Sequence, residues 1–91
     1  MNKTELVAVL ADAMNLSREQ ANDILTVTLD EITLALSREQ SVSLPGFGSF
    51  TQRHRAARTG RSPKTGESIQ IAASNSVGFK PGKALKDAVN Q

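Results

Sequence analysis

The chain has 91 residues, 38% hydrophobic and 3% aromatic, with three Phe and no Trp, Tyr or Cys. That length suits one domain with a modest core, and the absence of Cys excludes disulfides and thiolate-held metals as staples. The net charge of +2 conceals a division: residues 1–52 hold Lys3, Arg18 and Arg38 against seven acids, whereas residues 53–91 hold eight Lys or Arg against Glu67 and Asp87. Such a split suggests that one part of the molecule meets a polyanion; a basic surface kept for solubility is the alternative. No apolar run is long enough to span a membrane. The first ten residues, Glu5 among them, lack the order of a signal peptide, so a cytoplasmic protein is expected.

Leu6, Leu10, Ala13 and Met14 recur at helical spacing, with Val7 and Ala11 beside them, and predict a first helix over 3–14. Asn2 suits the N-cap, Glu5 suits the positive end of the helix dipole, and Asn15 is the expected exit. Ser17-Arg18-Glu19-Gln20 has the pattern of a capping box and opens a second helix over 18–38. Its apolar stripe, Ala21, Leu25, Leu29, Ile32 and Leu36, is widened by Ile24, Val27, Leu34 and Ala35. That face is broader than the first helix can cover. An ordinary core-facing helix is one reading and a partner subunit is the other.

The period then changes to two. Ser41-Val42-Ser43-Leu44 alternates as a half-buried strand, Pro45-Gly46-Phe47-Gly48 is a turn, and Ser49-Phe50-Thr51-Gln52 begins a second strand. Between Phe50 and Val77 the only large apolar residues are Ile69 and Ile71, too few to fix this stretch against a core. Thr59-Gly60 and Thr65-Gly66 flank the turn pattern Arg61-Ser62-Pro63-Lys64, and residues 50–58 and 67–73 alternate like strands on either side. The reading is a long β-ribbon projecting into solvent, with its tip near Pro63. Symmetric pairing about that tip sets Arg58 opposite Glu67. Ser76–Lys80 predicts a short returning strand, Pro81-Gly82 a break, and Lys83–Asn90 a short helix with Ala84, Leu85, Ala88 and Val89 inside. Phe47, Phe50 and Phe79 bracket the base of the ribbon and are expected to cluster there as core.

The ribbon is the strongest chemical feature. From Arg53 to Lys64 there are five fixed cations, Arg53, Arg55, Arg58, Arg61 and Lys64, with His54 and no acid. Arginine forks two hydrogen bonds to a phosphate and is weakly hydrated, so it suits a polyanion. A two-stranded ribbon fits a groove of B-form DNA. Pro63 has two readings: a turn proline, which the local sequence favours, or an apolar wedge that unstacks base pairs. Lys80, Lys83 and Lys86 form a second basic group, with Lys83 and Lys86 on one helix face, and Lys3 offers a further contact. His54 has neither a nucleophile nor fellow ligands for catalysis or metal binding. Gly82-Lys83 resembles the end of a P-loop, but Ala84 stands where Ser or Thr is needed. No catalytic set, metal site or cofactor is expected, and the chain does not read as an enzyme.

In this order the pieces resemble the HU and integration host factor family of bacterial histone-like proteins. The resemblance covers essentially the whole chain. Its most specific parts are Gly46-Phe47-Gly48-Ser49-Phe50, Arg58-Thr59-Gly60-Arg61-Ser62-Pro63-Lys64-Thr65-Gly66 and Phe79-Lys80-Pro81-Gly82-Lys83. It implies an α+β fold in an intertwined dimer: a helical body (1–40), a small antiparallel sheet (41–80) bearing a long β-hairpin arm (about 53–73), and a C-terminal helix (81–91), acting as a single DNA-binding domain. It implies that Pro63 is the intercalating tip, that Arg55, Arg58, Arg61 and Lys64 follow phosphates along the arm, and that Arg53, Lys80, Lys83 and Lys86 are basic positions of the saddle and flank. The dimer core is expected at Leu29, Ile32, Leu36, Leu44, Phe47, Phe50 and Phe79. Ser62 stands where the family usually has Asn, which implies a looser tip turn; Pro45 and Val77-Gly78 also depart from the common pattern. The implied function is a nucleoid-associated protein, homodimeric or paired with a paralogue. It would bind, bend, wrap and condense double-stranded DNA through the minor groove with little sequence specificity, preferring bent, nicked or distorted duplex. Two other classes remain open: a sequence-specific regulator, and a module whose arm grips an acidic protein or anionic membrane.

Overall fold

The computed structural model describes all of residues 1–91, in two compact units, Met1–Leu34 and Ala35–Gln91. Helix α1 is Lys3–Met14 and α2 is Arg18–Ser37. Local chemistry sets their ends. The Asn2 side chain accepts from the Glu5 backbone N–H at 2.9 Å, and Asn15, at φ 54°, turns the chain left-handed and returns its N–H to the Ala11 and Asp12 carbonyls. At the start of α2, Ser17 Oγ accepts from the Gln20 N–H at 3.1 Å while Gln20 Oε1 accepts from the Ser17 N–H at 3.0 Å. That is the reciprocal bonding expected of a capping box. In the first unit Val7, Ala11 and Ala21 are buried, with Leu10 and Leu25 packed against them. Helix α2 ends one residue before the expected Arg38, and Glu39 follows at φ 61°.

The second unit contains β1 (Val42–Leu44), β2 (Gly48–Arg55), β3 (Arg58–Arg61), β4 (Ser68–Ile71), β5 (Ser74–Pro81) and α3 (Lys83–Val89). Strands β1, β2 and β5 form an antiparallel sheet in the order β1-β2-β5, and β3 pairs with β4. Strand β5 is longer than the expected Ser76–Lys80: it gains Ser74 and Asn75, which pair with Arg55 and His54, and Pro81, opposite Gly48, in a ladder that needs no hydrophobic alternation. Phe50 and Phe79 are cross-strand partners. Their rings lie 4.8 Å apart, and those of Phe47 and Phe79 5.5 Å apart, so the three phenylalanines form the expected cluster.

The ribbon's register differs from the symmetric expectation. Arg58 lies opposite Ile71 and Arg61 opposite Ser68, while the Ser62 N–H donates to the Glu67 carbonyl at 2.8 Å. Glu67 is therefore set against Ser62 and not Arg58. The cause is the turn. Residues 63–66 form a four-residue loop in which the Gly66 N–H donates to the Ser62 carbonyl at 2.8 Å, with Gly66 at φ +74°. The position that demands a left-handed residue is the last of the loop, so the midpoint falls between Lys64 and Thr65 and not at Pro63. Both ladders keep one register: Arg55 pairs with Ser74 and Arg58 with Ile71, leaving Ala56-Ala57 across from Ala72-Ala73 at an interruption of equal length on each strand.

Candidate nucleic-acid interface

Alternation along a strand sends successive side chains to opposite faces of the sheet. With the observed pairing, Ser49, Thr51, Arg53 and Arg55 share one face with their partners Lys80, Gly78, Ser76 and Ser74; Phe50, Gln52 and His54 share the other with Phe79, Val77 and Asn75. The register thus brings Arg53, Arg55 and Lys80 together on a face floored by small hydroxyl side chains, with no acid in either strand. The opposite face is tied down by Phe50 and Phe79 and by Gln52, whose Nε2 donates to the Leu36 carbonyl at 3.0 Å.

Beyond the interruption, Arg58 and Gly60 share a face with Ile71 and Ile69, and Thr59 and Arg61 share the other with Gln70 and Ser68. The two isoleucines are the arm's only large apolar groups. Ile71 covers the space where Gly60 lacks a Cβ, so that a Cβ there would come within 2.7 Å of Ile71 Cδ1; Ile69 remains 44% exposed. Arg53, Arg55, Arg58, Arg61 and Lys64 are all exposed, and so is Pro63 in the tip loop. The loop is tightened by hydroxyls: Ser62 Oγ accepts from the Lys64 N–H at 3.4 Å and Thr65 Oγ1 from the Glu67 N–H at 3.3 Å. Ser62 thus keeps a long side-chain contact to the second residue on.

Lys83 and Lys86 stand exposed on α3. Lys3 belongs to the other unit, where its Nζ donates to Thr26 Oγ1 at 3.0 Å. His54 is exposed and has a partner: its Nδ1 lies 2.7 Å from Asn75 Oδ1 across the ladder. Only the register reveals that pair. Of the residues expected at a subunit interface, Leu36 is buried and Ile32 and Phe50 are half-buried. Leu29, Leu44, Phe47 and Phe79 stand 39–47% exposed in the single chain. No helix is long and apolar enough to cross a membrane.

Known proteins share this arrangement. The family model described as bacterial DNA-binding protein matches residues 1–90. DNA-binding protein HU-alpha of Pseudomonas aeruginosa is 60% identical over 99% of this chain and 100% of its own. DNA-binding protein HU of Geobacillus stearothermophilus is 52% identical over 98% of this chain and 99% of its own. Among solved structures, Anabaena HU in a cocrystal with DNA superposes with a TM-score of 0.86 at 43% identity, covering 98% of this chain and 97% of that one. HU from Thermotoga maritima superposes with a TM-score of 0.69 at 31% identity, with 98% of each chain covered. On sequence over its whole length and on fold, this α+β chain belongs to the bacterial DNA-binding protein family, among the HU proteins.

Proposed function

We propose that the chain is a histone-like nucleoid protein that binds double-stranded DNA with little sequence specificity, through the minor groove, and bends, wraps and stabilises it. The observation that carries this reading is the arm: five exposed cations from Arg53 to Lys64, without a carboxylate among them, on a two-stranded ribbon that ends in an exposed proline. From Arg53 to Pro63 the ribbon reaches about 30 Å at ~3.3 Å per residue, close to one turn of duplex, about 34 Å. The Anabaena relative, with a fold of TM-score 0.86 to this one, is seen with DNA. No base-reading helix accompanies the arm, and arginine contacts to phosphate carry no sequence information. As an architectural protein it needs no catalytic set, and its place is on the nucleoid in the cytoplasm.

Residues 1–91 act as one domain, and the active unit is a dimer, of two copies or of this chain with a paralogue. A single chain buries only Val7, Ala11, Ala21 and Leu36 among its hydrophobics and fully buries no large side chain, while Ile24, Val27, Leu29, Leu34, Phe47 and Phe79 stand in the open. A chain that leaves such residues uncovered is completed by association. In the complex Arg55, Arg58, Arg61 and Lys64 follow phosphates, Arg53, Lys80, Lys83 and Lys86 hold the duplex against the body, Lys3 adds a flank contact, and Pro63 enters between base pairs. Unstacking costs about a few kcal/mol per step, offset by the phosphate surface that the bend brings in. A nicked or already bent duplex has less to unstack and binds more tightly.

Titrating intact and nicked duplexes of unrelated sequence at two salt concentrations tests this. With roughly six to ten phosphates engaged, log K against log salt slopes about −5 to −9, and the nicked duplex binds more tightly. Negligible binding to random duplex would point instead to an acidic protein or membrane as the ligand, and a large preference for one sequence would point to a regulator.

A further inference from the structure

On the basic face of the sheet one position has no side chain. Gly78 lies diagonally across the ladder from Arg53, two residues beyond Arg53's own partner Ser76. The backbone does not require glycine there, since positive φ among the glycines is confined to Gly46 and Gly66. Glycine inside a strand also weakens it, for want of a side chain to pack. The space is nevertheless filled. A Cβ on Gly78 would lie 2.5 Å from Nε, 2.8 Å from Cζ and 2.9 Å from Nη2 of Arg53. The corresponding spaces at Gly48 and Gly60 are taken by the Phe79 ring and the Ile71 side chain, which is ordinary apolar packing. At Gly78, itself half-buried, the occupant is the charged end of the exposed Arg53, so no apolar burial repays the loss.

We propose that Gly78 is a positioning residue that seats the Arg53 guanidinium flat on the sheet, preorganised for a phosphate of the duplex backbone. The proposal rests on the duplex-binding reading and adds a residue to it that carries no charge. Three consequences follow from the placement. Arg53 leans one row away from Arg55, which shares its face two residues on, and towards Thr51 and Lys80, so its charge is gathered towards the Lys80 end of the face. The guanidinium lies over Gly78, in the rows of Thr51 and Ser76, so that their hydroxyls and the cation share one patch. A long, rotamer-rich side chain is also ordered before the ligand arrives, and ordering one such side chain is worth about threefold to tenfold in affinity.

The test is Gly78→Ala in the full-length protein, with Arg53→Ala and the double variant. In free wild type, 15N relaxation of the Arg53 Nε–H should report an ordered side chain, and in Gly78→Ala a freely rotating one. The clash involves only the far end of a flexible side chain, so Gly78→Ala should melt at or above the wild-type temperature while binding a random duplex about threefold to tenfold more weakly. In the Arg53→Ala background the same substitution should change affinity less than twofold. Full affinity in Gly78→Ala, or an equal loss without Arg53, would overturn the proposal. If Gly78→Ala fails to fold, removing Arg53 as well should restore folding, and failure to do so would overturn it too. Wild type that does not bind duplex would refute the duplex reading itself; the seat would still be read from the free-protein spectrum.

Discussion

Arg61 is the clearest single charge to remove. It ends β3 opposite Ser68, is exposed, and shares its face with Thr59 and Gln70, so nothing in the fold depends on its charge. Arg61→Ala should therefore leave stability within about 0.5 kcal/mol of wild type. Its effect belongs to the complex. The proposed dimer would lose two phosphate contacts, and each contributes about 0.9 to the slope of log K against log salt, so the slope should become shallower by roughly 1.8. Between 50 and 200 mM salt, the affinity gap between variant and wild type then narrows about tenfold. Fluorescence anisotropy with two duplexes of unrelated sequence, over that salt range, measures both quantities. An unchanged slope would show that Arg61 does not displace counterions. A loss confined to one sequence would show that it reads bases, and the account of the arm as a backbone follower would be wrong.

Pro63→Ala removes the apolar wedge but no charge, so it should reduce DNA bending and the preference for nicked duplex more than bulk affinity; equal bending in a ligation-cyclisation assay would assign Pro63 to the turn alone. Ser17→Ala breaks the capping box that starts α2 and should cost about 1 kcal/mol, lowering the melting temperature by roughly 4–8 °C without altering the salt slope of DNA binding. By hydrogen exchange, amides of β3 and β4 should open far more readily than those of Phe50 and Phe79, because an isolated two-stranded ribbon is marginal in water; duplex should slow exchange in the arm, and equal protection of arm and sheet in the free protein would contradict this.

The helices were legible because their ends are written locally. Asn2, Asn15 and the Ser17–Gln20 pair each satisfy backbone groups within four residues, and such chemistry can be read without knowing the fold. The phenylalanine cluster and the cationic ribbon were legible for a similar reason, being set by composition and order. Register was not. It depends on which loop residue must be left-handed, and Gly66 supplies that position three residues after Pro63, which moves the midpoint of the ladder to between Lys64 and Thr65. Everything that depends on register was hidden with it: the pairing of His54 with Asn75, the extension of β5 into Ser74-Asn75, and the approach of Arg53 to Gly78. The apolar stripe on α2 was legible as an excess, and Ile24, Val27 and Leu29 on that helix do stand exposed in the single chain.

The interruption at Ala56-Ala57 and Ala72-Ala73 gives the arm a property that neither its charge nor its length supplies. A bulge would shift the register, so that Arg58 and Arg61 would change faces relative to Arg53 and Arg55. Here the ladder lapses for the same number of residues on both strands and resumes in step. The arm can thus flex at this joint while its cations stay assigned to their faces. Alanine on all four positions puts no bulky group on either face to oppose the bend. Beyond the joint, two short strands hold Ile69 and Ile71 as their only large apolar groups, and with their tip loop they carry Arg58, Arg61 and Lys64 without an acid before Glu67. Like charges at that density repel one another in water and are relieved when phosphates take the place of solvent. Direction is stored in the pairing, and on the proposed reading the stiffness that a proline wedge needs would come from the bound duplex.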